Sequence, residues 1–506
     1  VIIMQTDQAK NPRKDHKIPG PFYWIPFILP LLLGSCVMVG PDYQGMEPHP
    51  AQQKWQAEME KGLNQTRPDK DNLASWWKEV FDDPLLVELQ KRAAEGNLDL
   101  NASLSRIREA RSRMGMSRAS LFPGLDAQGA AKRRRSSENM GTQGGGEINN
   151  YYNAGFDATW ELDIFGGTRR SVQAARAELQ ATRAGLKDVL TTLMADVALN
   201  YIQVRTYQQR LQILRSNIET LKQTYELNKS SYQSGIIDEL ALQQSLRNLE
   251  ESRSRTPRIK TGLKAAKHRL CVLLGLEPGQ LESELDNAGP IPDIPSQVAV
   301  GIPAESLRRR PDIQKAERKL AAQTAKIGVA TAKLYPRFNL AGSIGLESID
   351  SGDFLGPDSR IWSVGPGINW RIFHAGSLRM NIRVKTEQQK QALVQYKSTV
   401  LRAREEVENA LTAYAKEKIR LRDLKNSVAA AKRTEELARD RYQSGLVDFY
   451  KVLESQRSLL SIQDKRVQSK GEVAANLVRL YKALGGGWKF YDQLLEKRST
   501  NPKDKE

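Results

Sequence analysis

Few residues in this sequence could carry out chemistry, and they are scattered. No His-Glu-x-x-His, Gly-x-Ser-x-Gly or Walker phosphate loop occurs. The four histidines, His16, His49, His268 and His374, lie far apart. We therefore expect no metal site, no catalytic residue and no enzyme activity. Gly144-Gly145-Gly146 has no Gly-Lys-Ser/Thr after it and reads as an exposed loop, not a phosphate cradle. Of the two cysteines, Cys271 stands among Leu270, Val272, Leu273 and Leu274 and reads as a small buried hydrophobe. Cys36 is different, because Leu33-Gly34-Ser35-Cys36 has the form of a lipobox. In that setting the thiol takes a diacylglycerol and the freed amine takes a further acyl chain. Each buried CH₂ contributes about 0.8 kcal/mol, so several chains anchor firmly. Beyond this covalent lipid (palmitate or its like), no cofactor is expected.

The residues before Cys36 suit that reading. Lys10, Arg13, Lys14 and Lys17 form a basic region, and Phe22 to Leu33 is apolar but interrupted by Pro26 and Pro30. A bilayer span needs about 20 residues, so 1–35 reads as a lipoprotein signal peptide. Val37, where an Asp would argue otherwise, points by analogy to an outer membrane. Residues 36–70, rich in Pro and Gln, form an expected extended, lipidated segment.

The elements that position everything else are repeated. Ser231-Tyr232-Gln233-Ser234-Gly235 returns as Arg441-Tyr442-Gln443-Ser444-Gly445, an offset of 442 − 232 = 210. Leu121-Phe122-Pro123 returns as Leu334-Tyr335-Pro336, and the Trp160 segment returns loosely at Trp370. Landmarks of different kinds in one order imply a duplicated unit over about four-fifths of the chain. Each Ser-Gly phrase separates two long stretches of helical periodicity, and glycine leaves a helix cheaply, so each reads as a hairpin tip. Leu186, Leu190, Leu193, Val197, Tyr201, Val204, Leu211, Ile218, Leu221 and Tyr225 mark one apolar seam. Leu393, Tyr396, Val400, Ala403, Val407, Ala410, Tyr414, Leu421, Leu424, Val428 and Ala431 mark the other, with Glu417 the exception. Roughly 60 residues at about 1.5 Å each make a rod of about 90 Å. The return helices run from Asp238 to about Leu274, with Pro257 a kink or break, and from Asp448 to Gly485-Gly486-Gly487. Before the first strands, Asp83 caps and Pro84 opens a helix expected to continue to Leu121.

Between the helices the period drops to two. Tyr152, Ala154, Phe156, Ala158, Trp160 and Leu162 alternate with mostly polar residues, which describes a strand with one apolar and one wet face. Strands are predicted at about 125–135, 151–163, 337–346 and 361–370, with Pro366 suiting an edge or bulge. The fold class is mainly α with a small β part, in two tandem repeats, 71–289 with its tip at about 231–238 and 290–487 with its tip at about 441–448. A charged tail, 488–506, follows. Four strands of about 9–11 residues have the length of membrane strands but cannot close a barrel. Several chains must pool them: three copies give about twelve strands and two give about eight, both even antiparallel barrels. Such rods likewise need neighbours along their length.

Composition narrows the class. Charged residues make up 27% of the 506, so this is no helical membrane bundle. The net charge is +18, yet Lys and Arg are interspersed with acids along the helices and the run Lys132-Arg133-Arg134-Arg135 falls within a predicted hairpin. No nucleic-acid partner is expected.

Several blocks resemble the TolC-like outer membrane efflux family, in particular its NodT/OprM-type lipoproteins. These are the lipobox, Val39-Gly40-Pro41-Asp42-Tyr43 with Pro48, and Leu307-Arg308-Arg309-Arg310-Pro311-Asp312-Ile313 followed by Ala316-Glu317, Leu320-Ala321-Ala322 and Leu334-Tyr335-Pro336. The resemblance covers nearly the whole chain after Cys36. It implies a homotrimer with a 12-stranded barrel in the outer membrane of a Gram-negative bacterium, continuous with an α-helical periplasmic tunnel. It implies passive conduction of drugs or toxic compounds from an inner-membrane transporter of RND type. A periplasmic adaptor protein would meet the tips at Ser234, Gly235, Ser444 and Gly445. The resemblance also places an aperture at Tyr442, Asp448, Lys451 and Glu454. Tyr442 matches a tyrosine that hydrogen-bonds to hold the aperture shut, and Glu454 matches an aperture carboxylate. Lys451 departs from an acid found there in relatives, and a Lys–acid latch between helices is the expected substitute. Alternatives are an outlet for protein secretion or metal ions and, in another class, a soluble coiled-coil structural protein.

Overall fold

The computed structural model describes residues 38–46, 55, 63–64, 80–140, 146–295, 298–299 and 307–487. The signal segment, Cys36, Pro48 and the charged tail lie outside the described residues. In chain order the elements are β1 (Leu63–Asn64), α1 (Pro84–Gly96), α2 (Leu98–Ala119), β2 (Gly124–Arg135), β3 (Ile148–Leu162), α3 (Gly167–Gln233), α4 (Glu239–Leu273), α5 (Glu282–Leu285), β4 (Val298–Ala299), α6 (Pro311–Ala332), β5 (Arg337–Ser348), β6 (Arg360–Asn369), α7 (Ser377–Gln443) and α8 (Phe449–Ala483).

The duplication is metrical. α3 and α7 each have 67 residues, and α4 and α8 each have 35. Three glycine pairs at the offset of 210 adopt matching positive φ: Gly166 and Gly376 (75° and 80°), Gly235 and Gly445 (70° each), and Gly275 and Gly485 (74° and 75°). At about 1.5 Å per residue each long helix measures about 100 Å.

The chain divides into two compact units. One, comprising residues 38–40 with Ser120–Arg170 and Gly328–Leu378, holds a four-stranded antiparallel sheet in the order β2-β3-β5-β6. Its register sets Ala127 against Phe156, Phe156 against Ile344, and Ile344 against Trp362. Gly155 and Gly345 face each other across β3 and β5, where an added Cβ on Gly155 would lie 2.6 Å from the Ile344 carbonyl oxygen. Two tryptophans at the offset of 210 make matching bonds: Trp160 Nε1 donates to the Leu121 carbonyl at 2.9 Å and Trp370 Nε1 to that of Leu334 at 3.0 Å. Pro366, lacking an N–H, lies on β6 at the sheet's edge.

The other unit is helical. Its largest core gathers Leu86, Leu89, Leu190, Met194, Tyr201, Leu270, Val407, Tyr414, Val473 and Leu477, all fully or almost fully buried. Asp83 caps α1 through the Leu85 and Leu86 amides at 3.0 and 3.2 Å and accepts from the Tyr201 hydroxyl at 2.6 Å. Burial and then this bond push the Tyr201 phenol well above its ordinary value, so it stays protonated. Arg310 explains the Arg-Pro-Asp block: its guanidinium donates to Asp312, to Glu406 on α7 and to the Ala483 carbonyl that ends α8. Glu417, the exception in the second seam, accepts from the buried Ser469 hydroxyl at 2.6 Å. Cys271 is a buried free thiol.

Two expectations are corrected, and one contact is new. The helix from Pro84 does not continue to Leu121. It breaks at Asn97, whose side chain donates to the Leu273 carbonyl at 2.9 Å and caps α2 through the Leu100 amide. Nor does Pro257 end α4, which passes through it. The residue is exposed, so the carbonyl it leaves unpaired can meet water. Finally, β1 pairs in parallel with β4 over two residues each, a contact too short to leave a period in the sequence.

Candidate functional site

The sheet is two-sided. One face carries Leu125, Ala127, Ala131, Tyr152, Phe156, Trp160, Phe338, Leu340, Ile344, Trp362, Val364 and Ile368. The other carries Asp126, Gln128, Asn153, Asp157, Glu161, Asn339, Ser343 and Ser363, with the two serine hydroxyls 2.7 Å apart across β5 and β6. Alternation at period two produces this directly. The apolar face is open: Ile344 is 65% and Trp362 76% exposed. Among the described residues nothing covers either face or pairs with either edge, and such a sheet suits a wall between lipid and water. Among the described residues no helix is long and apolar enough to cross a membrane.

The segment after Cys36 is held at the foot of this sheet. The Val39 amide donates to the Phe165 carbonyl at 3.2 Å, and Arg170, 1% exposed, donates to the Val39 and Gly40 carbonyls at 3.1 Å each. Gly40, at φ 90°, sits so close to Gly328 that an added Cβ would lie 2.4 Å from its Cα. In the helical unit, Tyr43 donates to Glu317 at 3.1 Å, and burial and that carboxylate push its phenol up to about 12. The sequence showed the Val39–Tyr43 motif but gave no sign that Arg170 clamps it.

The hairpin tips share one backbone. The Gly235 amide donates to the Tyr232 carbonyl and the Ile236 amide to that of Ser231. Gly445 and Leu446 do the same to Tyr442 and Arg441. Ser234 and Ser444 each donate to a carbonyl four residues back at 3.0 Å, and all four small tip residues are exposed. Side chains separate the two. Tyr442 packs against Phe449 with ring centroids 5.2 Å apart and the planes tilted by 54°, in a cluster with Val452, Leu453 and Ala241 of the first hairpin. Asp448 sits at the α8 cap position, yet its side chain caps nothing and is exposed. Lys451 pairs with Glu454 at 3.0 Å on the same helix, and that hydrogen bond raises its ammonium above the ordinary value. The latch expected between helices is therefore, within one chain, a pair along one helix. Phe449 was missed, although the offset of 210 sets it against Glu239 and so flags it. Among the described residues no group of His, Cys, Asp and Glu could hold a metal.

An open two-faced sheet with long paired helices defines a channel subunit. The family described as outer membrane efflux protein matches residues 89–276 and 302–486, and the chain belongs to it. It is 31% identical over 473 residues to "Nodulation protein T" of Rhizobium leguminosarum bv. trifolii, covering 92% of this chain and 97% of the relative. It is 30% identical to "Solvent efflux pump outer membrane protein SrpC" of Pseudomonas putida, over 92% of this chain and 98% of the relative. The solved outer-membrane channel OprN superposes with a TM-score of 0.84 at 34% identity, covering 89% of this chain and 99% of that one. The protein is an outer membrane channel with a large periplasmic part, the exit duct of a tripartite efflux pump.

Proposed function

We propose that three copies of the chain pool their sheets into a 12-stranded barrel and their helices into a tunnel, and that cargo passes through without chemistry. The observation that carries this is the sheet with both faces bare and both edges unpaired, which no single copy completes. Cys36 bears the lipid anchor. A periplasmic adaptor meets Ser234, Gly235, Ser444 and Gly445, and an inner-membrane transporter of RND type loads the duct. The likeness to a relative named for solvent efflux supports small apolar molecules as cargo. Tyr442, Asp448, Lys451 and Glu454 form the aperture, where carboxylates lining the pore favour cations. The test is planar-bilayer recording of the purified protein with palmitate labelling in cells. Stepwise conductance and label lost in Cys36→Ser are expected. Absence of conductance would overturn the reading.

A further inference from the structure

Lys132-Arg133-Arg134-Arg135 ends β2, and conduction of cargo does not account for it. Alternation divides the run. Arg133 and Arg135 share the apolar face with Leu125 and Ala131, while Lys132 and Arg134 share the polar face with Asp126 and Gln128. On β6, Arg360 stands on the apolar face too, two residues before Trp362. All three apolar-face arginines are exposed. In register, Arg133 faces Asn150, Arg135 faces Ile148 and Arg360 faces Leu346, so no acid opposes them across a strand. Arg135 also reaches Glu138 at 2.9 Å, in an exposed pair that contributes little in water.

Their depth is telling. Arg135 lies ten residues along β2 from Leu125, about 33 Å at about 3.3 Å per residue and about 25 Å in height at a strand tilt of about 40°. That is close to the height of a barrel's apolar band, about 25 Å. Trp160 and Trp370, bonded to the turns that precede β2 and β5, mark the opposite rim. Arginine on a lipid-facing surface is costly in hydrocarbon and favourable at the level of lipid phosphates.

This inference rests on the trimer proposed above. β2 and β6 are opposite edges of one sheet. In a closed ring, β6 of one copy runs beside β2 of the next. β2 ends at Arg135 and β6 begins at Arg360, so both bring their arginines to the same rim. We propose that each seam binds a phosphorylated glycolipid of the outer leaflet. Its phosphates are held by Arg133 and Arg135 of one copy and Arg360 of the next, and its acyl chains lie over Phe156, Ile344 and Trp362. The guanidinium fork suits phosphate, which it grips through two bonds.

The test uses the full-length protein in nanodiscs and two probes, a bis-phosphorylated glucosamine disaccharide lipid and its dephosphorylated form. Native mass spectrometry reads the lipid retained, and light scattering reads the copy number. Wild type should bind the phosphorylated probe about tenfold or more tightly than Arg133→Gln/Arg135→Gln/Arg360→Gln does. Both proteins should bind the dephosphorylated probe equally weakly. Lys132→Gln/Arg134→Gln, altered on the polar face, should behave like wild type. If the triple variant fails to assemble, Arg133→Gln alone should still show a partial loss. A trimeric wild type that does not distinguish the probes, or an equal loss in the polar-face variant, overturns the lipid site alone. A monomeric wild type overturns the assembly beneath it.

Discussion

The two hairpin tips have the same bones and different surfaces. Both turn on a glycine at φ 70°, and both place an aspartate at the start of the return helix. Asp238 spends its carboxylate on the cap, accepting from the Ala241 amide at 3.0 Å, whereas Asp448 does not. The offset of 210 then sets Glu239 against Phe449, Ala241 against Lys451 and Gln244 against Glu454. The first tip is thus a turn with a conventional cap. The second is a turn with an aromatic knot beneath it and an exposed Asp, Lys and Glu above. Duplication supplied the geometry twice, and the aperture proposed above belongs to the second copy.

The largest effect should come from the knot. Phe449→Ala removes a buried ring and should destabilise the second tip by roughly 3 kcal/mol. Hydrogen exchange should show this as faster amides around 442–453, with the first tip unchanged. Giving the second tip the residues of the first, by Lys451→Ala with Glu454→Gln, should raise single-channel conductance several-fold, and Tyr442→Phe with Lys451→Ala should act in the same direction. The reciprocal change in the first tip, Ala241→Lys with Gln244→Glu, should leave conductance near wild type; a response of equal size would erase the distinction. Smaller still, Asp238→Ala should cost about 1 kcal/mol through the lost cap. Asp448→Ala should cost less than about 0.5 kcal/mol while lowering cation preference, read as a shift in reversal potential under a salt gradient.

What the sequence revealed follows what leaves a period in it. The long helices, their glycine turns and the two-faced strands were legible because burial repeats at 3.6 or 2 residues along them. The break at Asn97 was not. No proline marks it, and its causes are the distant Leu273 carbonyl and the close approach of Gly96 to Gly275, both products of tertiary packing. Pro257 marks no break, since the cost of a proline within a helix depends on which side faces water. At the second tip, Asp448, Lys451 and Glu454 could be named in advance. Whether Lys451 reaches across helices or along its own is a matter of side-chain geometry, and spacing alone allowed either. Phe449 was visible only by aligning the repeats residue by residue.

In the assembly proposed above, copies of the chain complete one another's tips and sheets. Native mass spectrometry of the detergent-solubilised protein, taken from the same preparation that is recorded in bilayers, addresses this most directly. Three times the chain mass, accompanied by stepwise ion conductance, is the expected result. A stable single copy that carries no current would contradict it.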